Sequence, residues 1–253
     1  MKKIFFLMVM FISAVFAQSE LKYEMVKTHK VFTDPASPND TLLVFILEYP
    51  DFDDSGDNKK LGKFLNQQVM KIYTDTSFGS SDFTKVVEEL KSFREDSEGS
   101  PFAAGWYIEK KVSYDSPVSG IGSLTFSGYQ YLGGAHGGSW VYYHNYDLKK
   151  QKKLKLTDVM VKNYQKTLLG IGEKIFRGLK GLTPDQSLEG EFWFDNNKFH
   201  FNNNFLFTKE GLVFYYNEYE ISCYACGTTE LLIPWKDIKT LVKKDGPLGK
   251  LTK

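Results

Sequence analysis

The chain has few of the residues that most often carry chemistry. Its 253 residues include two cysteines and four histidines. None of the four (His29, His136, His144, His200) has the His-Glu-x-x-His spacing that sets two metal ligands on one helix face. A charge surplus of either sign is also missing, since 32 Lys and Arg face 31 Asp and Glu. Without a basic surplus, nothing electrostatic favours nucleic acid or anionic lipid as a partner. No segment repeats at a fixed period, which excludes solenoids and propellers. No low-complexity linker divides the chain, and the apolar run Ile4–Phe16 is too short for a comfortable membrane span.

That run instead reads as the core of a secretory leader. Lys2 and Lys3 precede it, and Ala14-Val15-Phe16-Ala17 fits a small-x-small cleavage site before Gln18. A retained N-terminal anchor is the alternative, and no cysteine follows the site to carry a lipid. Residues 1–17 are therefore expected to be removed, leaving an exported (periplasmic or secreted) chain with a net charge of about −1 and no stable membrane anchor. Phe, Tyr and Trp make up 16% of the residues, a content that fits filling of a β-sheet core or an exposed aromatic face.

Patterning predicts an α+β fold, a mainly antiparallel sheet with helices packed on one face. Tyr23–Phe32 and Thr41–Glu48 read as strands, the second nearly all apolar and so central. Asp51–Asp57 superficially resembles a calcium loop, but Gly62 stands where a bidentate Glu belongs. A solvated helix-capping turn is the better reading. Leu61, Phe64, Leu65, Val69 and Ile72 make one helical stripe, and Phe83, Val86, Val87, Leu90 and Phe93 another. Trp106–Tyr114, Ser123–Leu132 and Trp140–Leu148 predict an antiparallel meander, followed by a basic turn at Lys149–Lys153. A short helical turn at Leu156–Asp158 and a helix over Lys162–Leu179 come next. Phe199–Phe207 and Leu212–Tyr216 flank a hairpin turn with Gly211 at its tight position. Thr229–Ile233 and an amphipathic helix over Trp235–Lys243 end the fold.

Two glycine-punctuated aromatic segments carry the most information. Tyr129–Gly138 starts as an alternating strand and ends in four glycines around His136; Gly211–Gly227 ends Tyr-Asn-Glu-Tyr-Glu-Ile-Ser-Cys-Tyr-Ala-Cys-Gly. Glycines there permit backbone angles that a Cβ resists and let another chain approach closely. With Tyr131, Gly133, Gly134, Ala135, His136 and Gly137, then Tyr216, Asn217, Tyr219, Glu220, Ile221, Tyr224, Ala225 and Gly227, then Ile233, Pro234 and Trp235, residues 110–245 resemble the RsiV-like family of exported domains. That family occurs in anti-sigma-factor sensors and beside PdaC-type peptidoglycan deacetylases. The resemblance implies residues 18–110 as a PdaC-type half and 111–253 as an RsiV-like half, packed as one unit. Cys223 and Cys226 depart from it, replacing the usual Pro and Ala. The transmembrane and cytoplasmic parts of the sensor members are not expected here, nor is the separate metal-dependent domain that carries deacetylase activity. A sigma-factor role is not carried over.

Chemistry has little to stand on locally. His136 reads either as a hydrogen-bonding group presented to a partner or as a turn lock bonded to a nearby carbonyl. Glu218 and Glu220 are expected on one strand face as surface charge, and the resemblance implies that Glu220 braces the neighbouring glycine loop. Cys223 and Cys226 have redox-motif spacing but follow a strand-like run rather than opening a helix. A structural disulfide leads over free thiols and over a metal or redox role. The resemblance implies a non-enzymatic envelope binding domain without cofactor, its partner a lysozyme-like muramidase or peptidoglycan. The expected binding residues are Tyr131, Gly133, Gly134, His136, Gly137, Trp140, Glu220 and Tyr224, with the loop 133–138 beside the turn 222–227. An envelope hydrolase, or a structural protein without a discrete ligand, are the alternatives.

Overall fold

Alternating and β-branched segments before Leu154 build one sheet. The computed structural model describes residues 21–34, 37–74, 92 and 105–251. The expected leader and the stripe at Phe83–Phe93 lie outside them. The sheet holds β1 (Tyr23–Asp34), β2 (Ser37–Phe52), β3 (Trp106–Val118), β4 (Ile121–Tyr131), β5 (Gly138–Asp147) and β6 (Lys152–Lys153), in that spatial order. Every neighbouring pair is antiparallel except β2 and β3, which run parallel from Leu43↔Trp106 to Glu48↔Lys111. A parallel pair needs a crossover connection, and α1 (Lys59–Thr74) lies in it. The apolar β2 is interior, flanked by β1 and β3.

One stripe of α1 closes one face of this sheet. Leu65, Val69 and Ile72 are buried with Phe52, Val112, Leu124, Phe126 and Tyr146. Leu61 and Phe64 pack at its margin. A smaller cluster of Leu43, Phe45, Leu47 and Ile108 lies along β2 and β3. The acidic turn ends β2 and leads through a 3-10 turn at Gly56–Asn58 into α1; Asp53 accepts bonds from Ser55 N (2.9 Å) and Oγ (2.6 Å).

The second half is organised around phenylalanine. After α2 (Leu156–Val159), α3 (Tyr164–Leu179) buries Tyr164, Leu168, Gly172 and Phe176, one residue per turn. Gly172 is required by packing, because a Cβ there would collide with the Phe201 ring. Strands β7 (Phe205–Phe207), β8 (Gly211–Tyr216) and β9 (Thr229–Pro234) form a separate antiparallel sheet. Only the last three residues of the expected strand Phe199–Phe207 are strand; Phe199 and Phe201 are drawn instead into the cluster around Phe176 and Phe214. Gly211 also has a different role from the one expected. It is not at a left-handed turn position; a Cβ on it would collide with the Ile233 carbonyl of β9. The closing segment is shorter than a continuous helix: α4 (Trp235–Ile238), a 3-10 turn at Lys239–Leu241, and a bridge from Val242 to Met160.

Asparagine amides join the two sheets. β6 pairs only with Tyr146 and Asp147, so among the described residues the edge of β5 from Ser139 to Tyr143 has no strand partner. The Asn217 Oδ1 accepts from Val141 N (2.7 Å), and the Asn204 Oδ1 accepts from Tyr143 N (2.9 Å). The same two side chains donate to the Val141 carbonyl (3.2 and 2.7 Å). Asn145 donates to the Phe205 carbonyl (2.7 Å) and accepts from Ser123 Oγ (3.0 Å). All three asparagines are buried. Buried edge groups need partners, and here side-chain amides replace a strand. Among the described residues no helix is long and apolar enough to cross a membrane.

Candidate functional site

The asparagine seam brings the two glycine-punctuated segments together. Gln130 pairs with Gly138, so residues 131–137 form a loop at the end of the β4–β5 hairpin. Gly133 and Gly134 have φ of 90° and 93°, angles open to glycine alone at low cost. The Tyr131 hydroxyl donates to the Gly134 carbonyl (2.9 Å) and pins the loop. Gly137 is buried because Tyr129 lies where its Cβ would be.

His136 stands exposed at the tip. Its Nδ1 is 2.8 Å from the Gly137 carbonyl. A carbonyl only accepts, so Nδ1 carries a hydrogen, and Nε2 lies 3.3 Å from the Tyr219 hydroxyl, within hydrogen-bond reach. His136 is thus both carbonyl-bonded and presented at the surface. Its ring stacks on Tyr224 with centroids 3.8 Å apart and planes within 13°. The loop at 133–138 and the turn at 222–227 are therefore in direct contact.

The stack extends further than the sequence reading reached. Tyr219 lies 5.5 Å from Tyr224 and 6.2 Å from His136, and Trp193 lies 6.3 Å from Tyr219, with all these planes within 29°. Trp193 and Tyr219 are 51% and 53% exposed. Tyr219 holds a φ of 62°, a left-handed angle that costs an L residue about 1 kcal/mol. A bulky residue kept there against its preference marks a constrained site. Trp193 went unnoticed in sequence because Phe192 and Phe194 beside it are core residues; the Phe-Trp-Phe alternation, with the middle ring outward, was the available signal.

The glutamates differ from expectation. β8 ends at Tyr216, so Glu218 and Glu220 sit in a turn rather than on a strand face. Glu220 does not brace the glycine loop. Its carboxylate accepts from Asn217 N (2.8 Å) and Asn202 Nδ2 (2.7 Å) and so fixes the turn that carries Tyr219. Glu218 reaches the glycine segment instead, accepting from Ser139 N (3.3 Å). Trp140 is not among the stacked rings; it packs on Phe126 and joins the cluster under α1. Cys223 and Cys226 form a disulfide with Cα atoms 5.2 Å apart, and Tyr224 lies in the turn between them. Among the described residues no group of three or more His, Cys, Asp or Glu is arranged to hold a metal ion.

Residues 157–236 match the family model described as "Protein of unknown function (DUF3298)", and residues 37–139 match the one described as "Deacetylase PdaC". A DUF3298-family protein from Bacteroides fragilis has a similar structure, with a TM-score of 0.71 and 22% identity over 92% of this chain and 98% of its own. A DUF3298-family protein from Pseudomonas aeruginosa gives a TM-score of 0.67 and 19% identity over 88% and 94%. At these identities the likeness is one of fold. No curated protein sequence matches the chain.

Proposed function

We propose that the protein is an exported, non-enzymatic binding domain of the bacterial cell envelope, that it is RsiV-like in kind, and that its ligand is the glycan of peptidoglycan. The observation that carries this reading is the exposed, near-parallel row Trp193, Tyr219, Tyr224 and His136. Only His136 and Tyr224 overlap closely; the wider spacing of the other rings leaves about half of Trp193 and Tyr219 open to solvent. Open ring faces offer flat apolar area at low entropy cost and suit the CH faces of sugar rings. The Glu218 carboxylate and the Tyr219 hydroxyl lie close by for polar sugar groups. The matches to DUF3298 and PdaC models support an envelope setting.

The hydrolase reading needs an acid and a base converging on a substrate. Here both Glu220 oxygens already hold the turn, and Glu218 bonds a backbone N–H. Co-sedimentation of the full chain with purified peptidoglycan tests the proposal, with a lysozyme-like muramidase offered in parallel. Retention on peptidoglycan without release of soluble sugar is expected. Binding to the muramidase alone would replace the ligand, and release of reducing ends would replace the function.

A further inference from the structure

The two cysteines sit inside the aromatic site and have no part in the core. Cys223 and Cys226 are both exposed, and neither belongs to a buried apolar cluster. Their turn is held within itself by Cys226 N to the Cys223 carbonyl (3.0 Å) and Gly227 N to the Tyr224 carbonyl (2.9 Å). Buried Ser222 and buried Thr229 bracket it, and Gly227 takes a φ of 69° at its exit. The segment outside the core that the disulfide closes is therefore residues 223–228. The one ring this unit carries is Tyr224, whose stacking on His136 is noncovalent, and the disulfide closes the turn that presents it. Trp193 is fixed separately, through its N–H to the Ile221 carbonyl (2.9 Å), and Tyr219 by the Glu220 turn.

We propose that the Cys223–Cys226 disulfide is a thiol–disulfide exchange site, and that its reduction by a dithiol frees Tyr224 from His136 and weakens the binding row. The inference rests on the proposed binding role for its consequence, but not for the exchange itself. A thiolate of the dithiol attacks one exposed sulfur, the S–S bond breaks, and the other cysteine leaves as a thiolate that takes up a proton. The second thiol of the reductant resolves the mixed disulfide. Two electrons and two protons pass to the cysteines, and the reductant departs as its own disulfide. Because the moving unit lies outside the core, the change is local.

Nuclear magnetic resonance of the full chain during titration with dithiothreitol reads this without any ligand. Four histidines make the His136 ring assignable with His136→Gln. On reduction the His136 ring resonances should move to their position in Tyr224→Ala and return on reoxidation, with the unfolding midpoint little changed. Cys223→Ser/Cys226→Ser should reproduce the reduced spectrum. Retention on peptidoglycan should fall by up to about tenfold, the loss of one aromatic pair. Complete reduction, shown by alkylation mass, with unmoved His136 resonances would overturn the coupling. A disulfide that resists dithiothreitol until the protein unfolds would overturn the exchange site. Moving resonances in a protein that never binds peptidoglycan would uphold the inference and reject the proposed function.

Discussion

The C-terminal half holds two collections of aromatic rings that obey different rules. Inside, Phe176 meets Phe192 and Phe194 edge-on, with planes at 74° and 80° and centroids 5.1 and 5.4 Å apart. All three are buried. Outside, Trp193, Tyr219, Tyr224 and His136 lie near parallel and partly open. Burial accounts for the first set, since the rings leave water and their quadrupoles favour edge-to-face contact. It does not account for the second, whose central residue also holds a costly left-handed angle.

The contrast can be broken first from the inside. Phe176→Ala should lower unfolding free energy by about 4 kcal/mol in chemical denaturation, because it opens a cavity among the rings of Phe192, Phe194 and Phe199. A loss below about 1 kcal/mol would mean the cluster does not hold this half together. At the seam, Asn204→Ala should cost about 2 kcal/mol, since it leaves the Tyr143 N–H without its acceptor and removes the shorter of the two bonds to the Val141 carbonyl. Hydrogen exchange should then quicken at Tyr143.

Lys110 sharpens the comparison from the other half. It is buried on β3 with its ammonium 5.7 Å from the Tyr73 ring centre, and burial lowers its pKa to about 8. Its ordinary value is 10.5. Between these values the unfolded state binds the extra proton, so stability rises with pH and is least below 8. The gain from pH 8 to 10 should be on the order of 2 kcal/mol. Above about pH 10, tyrosines whose burial raises their pKa, Tyr73 and Tyr114 among them, oppose the trend. Denaturant midpoints should therefore rise over that window in the parent and stay flat in Lys110→Met.

Most of the sheet was legible in sequence, because alternation over Trp106–Leu132 and the unbroken apolar run of β2 report burial directly. The meander, α1 and α3 follow from those patterns. What sequence could not carry was the boundary between strand and turn after Tyr216. Tyr-Asn-Glu-Tyr-Glu-Ile reads as a strand by composition, yet Asn217 turns its amide to β5 and Glu220 folds back on Asn217 N. Those bonds are long-range or depend on the turn already existing, so no local pattern announces them. That the loop at 133–138 lies beside the turn at 222–227 was anticipated from the pairing of the two glycine segments; the His136–Tyr224 stack that joins them was not. Trp193 and Tyr219 were not, because their roles follow from which side of a turn faces water.

The smallest effect on stability is also the most direct test. Trp193→Ala removes the outermost ring of the row without touching the buried cluster. Unfolding free energy and retention on peptidoglycan should be measured on the same samples. Stability should change by no more than about 0.5 kcal/mol, as for surface substitutions, while retention falls about tenfold or more. Unchanged retention, or a loss of retention matched by a loss of stability, would show that the exposed rings are scaffold and contradict the binding site.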